Sequence, residues 1–205
     1  MKRLFAAALI SIGAASAAGA TTLSATFDTD AEGWTAQDGD LSWQATGGNG
    51  GGYIAISDAN RQFMLAVAGS SFNGNLSAYD GGTLSFDVIQ TTGSGSGFAS
   101  FGTVRIAGGG FEASADLFAG QAGSTWTTAS GGFDAGAFGV SQATWDAILT
   151  NVSSFLIDVE NTDQVNETVG LDNVTLIAAV PLPAGGLLLI GALGGLAAMR
   201  RRRGH

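Results

Sequence analysis

Seventeen carboxylates and one histidine limit the chemistry available to this chain of 205 residues. The histidine is His205, at the far end of the sequence, and cysteine is absent. A Ser–His–Asp arrangement, an imidazole metal cage and thiol or Cys-ligated zinc chemistry are therefore excluded from the interior of the chain. Glycoside hydrolysis needs two carboxyls facing across a cleft, and none of the glutamates lies in a hydrolase signature. We interpret the acids as solvated surface groups and expect no enzyme activity.

Aromatic side chains are the other candidates, because sugar rings stack on flat aromatic faces while polar groups bind their hydroxyls. Trp34 and Trp126 are expected in a core, where a tryptophan of a β-protein most often lies. Trp43 and Tyr53 flank the glycine-rich stretch 47–52, and exposed loops of this kind often carry binding residues. Trp43 and Tyr53 are therefore the predicted ligand-binding residues.

The first twenty residues, MKRLFAAALISIGAASAAGA, begin with Lys2 and Arg3, continue with an apolar stretch and end in small residues. This order is typical of a secretory signal peptide, here a short apolar helix over 1–20 cleaved near Ala20. The chain is therefore expected to be exported.

Residues 21–179 are long enough for one domain with a sizeable core. All seventeen acids lie in this region, against only Arg61 and Arg105, so its net charge is near −15. Such a surface repels a phosphate backbone, and nucleic acid is excluded as a partner. Neutral sugars and divalent cations remain possible ligands.

Most of this region is predicted to form short strands separated by glycine-rich turns. In TLSFDVI, Leu84, Phe86 and Val88 point to one face and the polar residues between them to the other. The other predicted strands are LSATF (23–27), YIAIS (53–57), TVRIA (103–107), SSFLIDV (153–159) and DNVTLI (172–177). Six or more strands without interleaved helices indicate an all-β, antiparallel β-sandwich.

One segment has helical spacing. In SQATWDAILTN, the apolar residues Trp145, Ile148 and Leu149 follow the pattern i, i+3, i+4, and Ser141 precedes them as an N-cap. The sequence therefore predicts one short helix packed on the sandwich.

Five blocks along the region resemble the laminin B domain, also called laminin domain IV. They are FNGNLSAYDGGTLSFDV (72–88), VRIAGGG (104–110), STWTT (124–128), WDAILTNVSSFLIDVE (145–160) and GLDNVTL (170–176), and FDTDAEGWT (27–35) resembles the opening of the bacterial form. The likeness extends from Phe27 to Ile177. The flanking cysteine-rich modules of animal laminins are absent, so a basement-membrane role is not implied.

The resemblance implies a jelly-roll β-sandwich similar to carbohydrate-binding modules, without catalytic activity. It also implies a structural calcium ion between the first and last strands, with Asp28 and Asp172 as its ligands. Carboxylate oxygens are the ligands that calcium prefers. Asp30 and Asp58 are weaker alternatives, and plain turn aspartates are the other interpretation.

The C-terminal 26 residues resemble the VPLPA variant of the PEP-CTERM sorting tail, which is found on exported proteins of Gram-negative bacteria and is read by an exosortase-type processing enzyme. The motif consists of Val180, Pro181, Leu182, Pro183, Ala184 and Gly185, and the basic end of Arg200, Arg201, Arg202 and Arg203. Between them, the apolar residues 184–199 would span about 24 Å as a helix, close to the ~30 Å of a bilayer core. A transmembrane helix is therefore predicted, with its arginines in the cytoplasm.

Together these features predict an exported module without catalytic activity, held at the cell envelope or outer surface or released to the extracellular matrix. Extracellular polysaccharide is the expected ligand. A purely structural biofilm or matrix component is the alternative, and a carboxylate-dependent glycan hydrolase is less favoured.

Overall fold

A computed structural model describes residues 19–58, 63–95, 97, 100–162 and 165–180. Residues 20–179 form one compact unit. The predicted signal peptide lies outside the described residues except for Gly19 and Ala20, and so does the sorting tail beyond Val180, including the segment 184–199. Within the described ranges, no helix has the length and apolar character needed to cross a membrane.

In the described part of the chain, eleven strands form two sheets in which all pairs are antiparallel. The strands are β1 (Thr22–Ala25), β2 (Thr35–Gln37), β3 (Asp40–Gln44), β4 (Tyr53–Asp58), β5 (Leu65–Val67), β6 (Gly82–Thr92), β7 (Thr103–Gly108), β8 (Phe111–Asp116), β9 (Thr127–Phe133), β10 (Val152–Asp158) and β11 (Glu167–Ile177). The six-stranded sheet has the order β3-β4-β11-β6-β9, with β1 also paired to β11. The five-stranded sheet has the order β2-β5-β10-β7-β8. The predicted antiparallel β-sandwich is therefore confirmed.

The core lies between the two sheets and follows the predicted period of two. Leu84, Phe86 and Val88 of β6 are fully buried, as are Val104 and Ile106 of β7 in the opposite sheet. Side chains at alternate positions point away from the core. The outer face of the six-stranded sheet therefore carries the alternate residues of β3, β4, β11, β6 and β9.

The predicted helix is present as α1 (Gln142–Thr150). The Ser141 side chain accepts a hydrogen bond from the Thr144 backbone N–H, which satisfies one of the free donors at the helix start. Trp145, Ile148 and Leu149 are buried on one face. Two 3-10 turns, Ser70–Phe72 and Ser77–Tyr79, lie in the connection between β5 and β6.

Candidate functional site

Tyr53 and Trp126 form an aromatic pair on the outer face of the six-stranded sheet. Their ring centroids are 5.4 Å apart with an interplanar angle of 82°, an edge-to-face arrangement. Both side chains are half-buried. Gly170 of β11 lies beneath them, and a Cβ there would come within 3.0 Å of Trp126 Cη2 and of Tyr53 Cδ2. The absence of a side chain at Gly170 therefore allows both rings to rest on the backbone of the sheet.

Trp126 was expected in the core, and the structure instead places it beside Tyr53 at the surface. The strand that follows explains this position, because Thr128 and Ser130 are exposed while Ala129 between them is buried. In an extended chain, side chains two positions apart point to the same face. Trp126 therefore points outward with Thr128 and Ser130. Trp34 is 3% exposed, as expected for a core residue.

Trp43 and Tyr53, the two predicted ligand-binding residues, lie on opposite faces of the sheet. In the β3–β4 pair, Tyr53 is opposite Gln44, whereas Trp43 is opposite Ile54, a fully buried residue. The indole Nε1 of Trp43 donates to the Phe27 carbonyl oxygen over 2.7 Å, and the side chain is 38% exposed at the sheet edge. The structure therefore brings Tyr53 together with Trp126, and not with Trp43.

The glycine-rich loop 47–52 lies across the same outer face. Trp126 Nε1 donates to the Gly47 carbonyl oxygen over 3.0 Å. Asn49 donates its backbone N–H to Asp172 Oδ2 over 2.7 Å and its side-chain amide to Asp87 Oδ2 over 2.9 Å. The loop is therefore attached to β11, to β6 and to Trp126, the residue before β9, and it lies beside the aromatic pair.

Asp28 and Asp172, the predicted calcium ligands, lie close enough to repel each other. Burial, and to a smaller extent the charges of Asp87 and Asp28, raise the pKa of Asp172 to about 6, against backbone hydrogen bonds from Asn173 and Asn49 that lower it. Arg105, the one lysine or arginine in the described ranges, belongs to β7 in the other sheet. No described cation therefore balances these three carboxylates.

The donor atoms in this cluster fit calcium in type, since calcium binds carboxylate and carbonyl oxygens. In the described part of the chain, however, no group of three or more Asp, Glu, His or Cys side chains is arranged to hold a metal ion. Both oxygens of Asp172 accept backbone N–H groups, from Asn49 and Asn173. The calcium ion stays a prediction.

The two weaker calcium candidates lie elsewhere. Asp30 accepts the backbone N–H of Glu32 within its own turn. Asp58 of β4 is opposite Glu167 of β11 in the strand register, and Glu167 is five residues from Asp172 along β11. Neither residue is among the groups that interact with Asp172.

The interpretation of all acids as solvated surface groups is wrong for six of them, which are at most 5% exposed: Asp58, Asp87, Asp158, Glu160, Glu167 and Asp172. Burial and the neighbouring Glu167 raise the pKa of Glu160 to about 7. Burial raises the pKa of Asp158 to about 6, against a hydrogen bond from Ser100 that lowers it. Burial also raises the pKa of Glu167. The sequence of β11 contains one indication of this burial. Glu167 is two positions before Val169 and four before Leu171, so in a strand its side chain points to the same apolar face.

The buried glutamates do not form the carboxylate pair of a glycosidase. Glu160 accepts the backbone N–H of Met64 over 3.3 Å, and Glu167 accepts those of Asn161 and Thr162 over 2.7 and 3.1 Å. A hydrolase acid or base must reach a substrate in a cleft. These two side chains are instead enclosed by the protein and used to hold backbone segments together.

Comparison with known proteins identifies the fold. No family model and no curated protein sequence matches the chain. Among solved structures, the L4b domain of human laminin alpha-2 has a TM-score of 0.58 at 11% identity, over 77% of this chain and 97% of that one. The family 11 carbohydrate-binding module of a Clostridium thermocellum cellulosomal cellulase has a TM-score of 0.52 at 16% identity, over 82% and 99%.

An exo-beta-agarase is also similar, with a TM-score of 0.53 at 12% identity. The match covers 81% of this chain and 25% of that one. These likenesses confirm the predicted jelly-roll sandwich, similar in fold to laminin-type domains and carbohydrate-binding modules.

Proposed function

We propose that the protein is a polysaccharide-binding module without catalytic activity, and that its ligand lies on the outer face of the six-stranded sheet. The observation that carries the proposal is the Tyr53–Trp126 pair, which rests on Gly170 at the protein surface. Aromatic rings at a surface offer the flat apolar area on which the C–H faces of sugars stack. The fold likeness to a carbohydrate-binding module supports the proposal by analogy.

Polar side chains beside the rings would bind sugar hydroxyls. They lie on the same face of β3, β4 and β11: Ser42, Gln44, Ser57 and Thr168. Hydroxyl and amide groups both donate and accept hydrogen bonds, so they suit hydroxyl-rich ligands. With a net charge near −15 across the domain, a neutral polysaccharide is favoured over an acidic one.

We also propose that the module acts outside the cytoplasm. The support is in the sequence alone: a signal-like segment over 1–20, and the sorting-type tail with Arg200 to Arg203 at its end. On this proposal an exosortase-type enzyme processes the tail, and the domain stays at the envelope or enters the matrix. Cell fractionation of the full chain and of a variant with the four arginines replaced by alanine tests it. An unchanged distribution would contradict a role for the tail.

Binding is tested by retention of the purified protein on insoluble neutral polysaccharides, cellulose and agarose, followed by titration with soluble fragments of whichever retains it. Tyr53→Ala and Trp126→Ala are expected to weaken retention about fivefold, since stacking on one ring contributes about 1 kcal/mol. Trp43→Ala is the matched control, because Trp43 faces away from Tyr53.

Three outcomes would contradict this proposal. Equal retention of all variants would remove the aromatic pair from the site. Failure of the parent protein to bind either polysaccharide would favour the alternative, a structural matrix component without a specific ligand. Release of reducing sugar from either polysaccharide would favour the hydrolase.

A further inference from the structure

The Tyr53 and Trp126 rings meet almost at a right angle and form a corner on the outer face of the six-stranded sheet. The angle between their planes is 82°, and their centroids are 5.4 Å apart. Two ring faces at such an angle cannot both lie against one flat object. The pair therefore offers one ring face for stacking and the edge of a second ring beside it, and not a flat platform of two rings.

Contacts with the loop 47–52 hold the corner in this shape. Trp126 Nε1 donates to the Gly47 carbonyl oxygen over 3.0 Å. A Cβ on Gly47 would lie 3.5 Å from Tyr53 Cε1, an ordinary contact distance, so the same residue also lies close to the tyrosine ring. Turning Trp126 parallel to Tyr53 would give up the hydrogen bond and the edge-to-face contact. The corner is therefore formed before a ligand arrives.

The loop 47–52 also covers the outer face on one side of the corner. Asp87 and Asp172 alternate with core residues of β6 and β11, so their side chains point to the outer face. They are nevertheless only 5% and 1% exposed, because Asn49 of the loop lies over both and donates a hydrogen bond to each. A ligand in the corner therefore cannot extend along the strands in this direction.

A row of hydroxyl side chains remains accessible on the other side of the corner. Ser57 of β4 is opposite Thr168 of β11, and the Thr91 hydroxyl of β6 donates to the Thr168 carbonyl oxygen over 3.1 Å. β11 begins at Glu167, so this row lies at the end of the strand. Side-chain rows on one face are about 7 Å apart along a strand. The accessible area is therefore narrow along the strands and longer across them.

From this shape we propose that the site binds a single glycan chain, which crosses the strands along the row Thr91, Thr168 and Ser57, and that it does not bind the flat face of a crystalline polysaccharide. The inference rests on the proposed function. One sugar stacks on a ring in the corner, and its neighbours extend over the hydroxyl row. Chains packed in a crystal present a plane, and one plane cannot lie against two perpendicular rings.

Competition between soluble chains and insoluble polymers tests the proposal. The purified protein is mixed with microcrystalline cellulose, amorphous cellulose or agarose, and soluble cello- or agaro-oligosaccharides of increasing length are added. We expect the oligosaccharides to displace the protein fully from the polymer that retains it. Their affinity should rise with length and become constant once the chain spans the hydroxyl row. Microcrystalline cellulose should retain at least tenfold less protein than amorphous cellulose at equal accessible area.

Ser57→Ala and Thr168→Val test the path of the chain. Each variant removes one hydroxyl from the row and is expected to weaken oligosaccharide binding about threefold, the effect of losing one hydrogen bond between neutral groups. Ser130→Ala is the matched control and should bind as the parent does. Ser130 is on the same face but opposite Ser85, which lies on the far side of Asp87 from the row.

The outcomes separate this inference from the proposed function. Retention on microcrystalline cellulose that no soluble oligosaccharide displaces would overturn the inference and leave the proposed function intact. Affinity that is unchanged in both Ser57→Ala and Thr168→Val, or lowered equally in Ser130→Ala, would contradict the path along the row. Absence of retention on all three polymers would reject the proposed function, and the inference with it.

Discussion

Asp87 and Asp172 lie opposite each other on the neighbouring strands β6 and β11, and Asn49 donates one hydrogen bond to each carboxylate. Asn173 adds a second amide donor to Asp87 Oδ2 over 2.9 Å. Two like charges on adjacent strands repel each other, and amide donors reduce this repulsion. The fold of the loop 47–52 is therefore coupled to a pair of acids in the sheet.

Replacement of Asn49 by alanine is expected to release this loop. The variant removes one of the two amide donors to Asp87 Oδ2, and the loss of a hydrogen bond to a carboxylate costs about 1.5–3 kcal/mol. Thermal unfolding should show a lower midpoint, and limited proteolysis should cleave faster within 45–52. Asn166→Ala, at an exposed position, is the control. Equal proteolysis of both variants would mean that Asn49 does not hold the loop.

Gly170→Ala tests the support of the aromatic pair. The new methyl group would lie 2.7 Å from Ile89 Cγ2 and 3.0 Å from both rings, so the rings must move off the sheet. Overpacking of this kind costs about 1–3 kcal/mol, and glycan retention should fall with it. Gly123→Ala adds a methyl group in open space and serves as the control. Unchanged tryptophan fluorescence in Gly170→Ala would contradict this account.

Because the pKa values of buried acids are raised, we expect the free energy of unfolding to fall as the pH rises. Asp158 and Asp172 have pKa values of about 6 and Glu160 of about 7, all above their unfolded values near 4. The folded state therefore binds more protons than the unfolded state between about pH 4 and 7, and the free energy of unfolding decreases across that range. Calorimetry should record a higher unfolding midpoint at pH 5 than at pH 8.

A variant separates this effect from general charge repulsion. Glu160→Gln should reduce the change in the free energy of unfolding between pH 5 and 8 by on the order of 1–3 kcal/mol. Glu112→Gln, at an exposed position, should alter that change little. A midpoint that stays constant or rises from pH 5 to 8 is incompatible with the raised pKa values.

Calcium is expected to raise the unfolding midpoint. A divalent cation near Asp28 and Asp172 would offset the burial of the Asp172 carboxylate and its repulsion by Asp87 and Asp28, and binding to the folded state alone adds stability. Unfolding in millimolar calcium and in EDTA should differ for the parent and coincide for Asp28→Ala and Asp172→Ala. Glu112→Gln should keep the calcium effect. Identical midpoints of the parent in both buffers would remove the metal from this site.

The sequence predicted the elements whose side chains alternate strongly or follow a clear helical spacing. Leu84, Phe86 and Val88 identified β6, and Ser141 with Trp145 identified α1 and its cap. The strands that were not predicted have weaker patterns. In β8 the inward positions are Ala113 and Ala115, whose small side chains give little contrast with the serine between them.

The site was predicted less well, because it depends on register and on long-range contacts. Trp43 and Tyr53 flank one loop, but a pairing of Tyr53 with Gln44 instead of Trp43 sends their side chains to opposite faces. Trp126, which immediately precedes β9, contacts Tyr53 although the two residues are more than seventy positions apart in the chain. The burial of Glu160 arises from the packing of separate loops at one end of the sandwich, and local sequence carries no sign of it.

The pairing of β1 with β11 determines how the domain would respond to tension. Thr22 is opposite Ile177 and Ala25 is opposite Val174, so the chain enters β1 and leaves β11 at the same end of the ladder. A force applied at these two points would load the hydrogen bonds one after another, as in unzipping, and not all together in shear. The β1–β11 ladder would therefore open pair by pair under tension, beginning at Thr22 and Ile177 and ending at Ala25 and Val174.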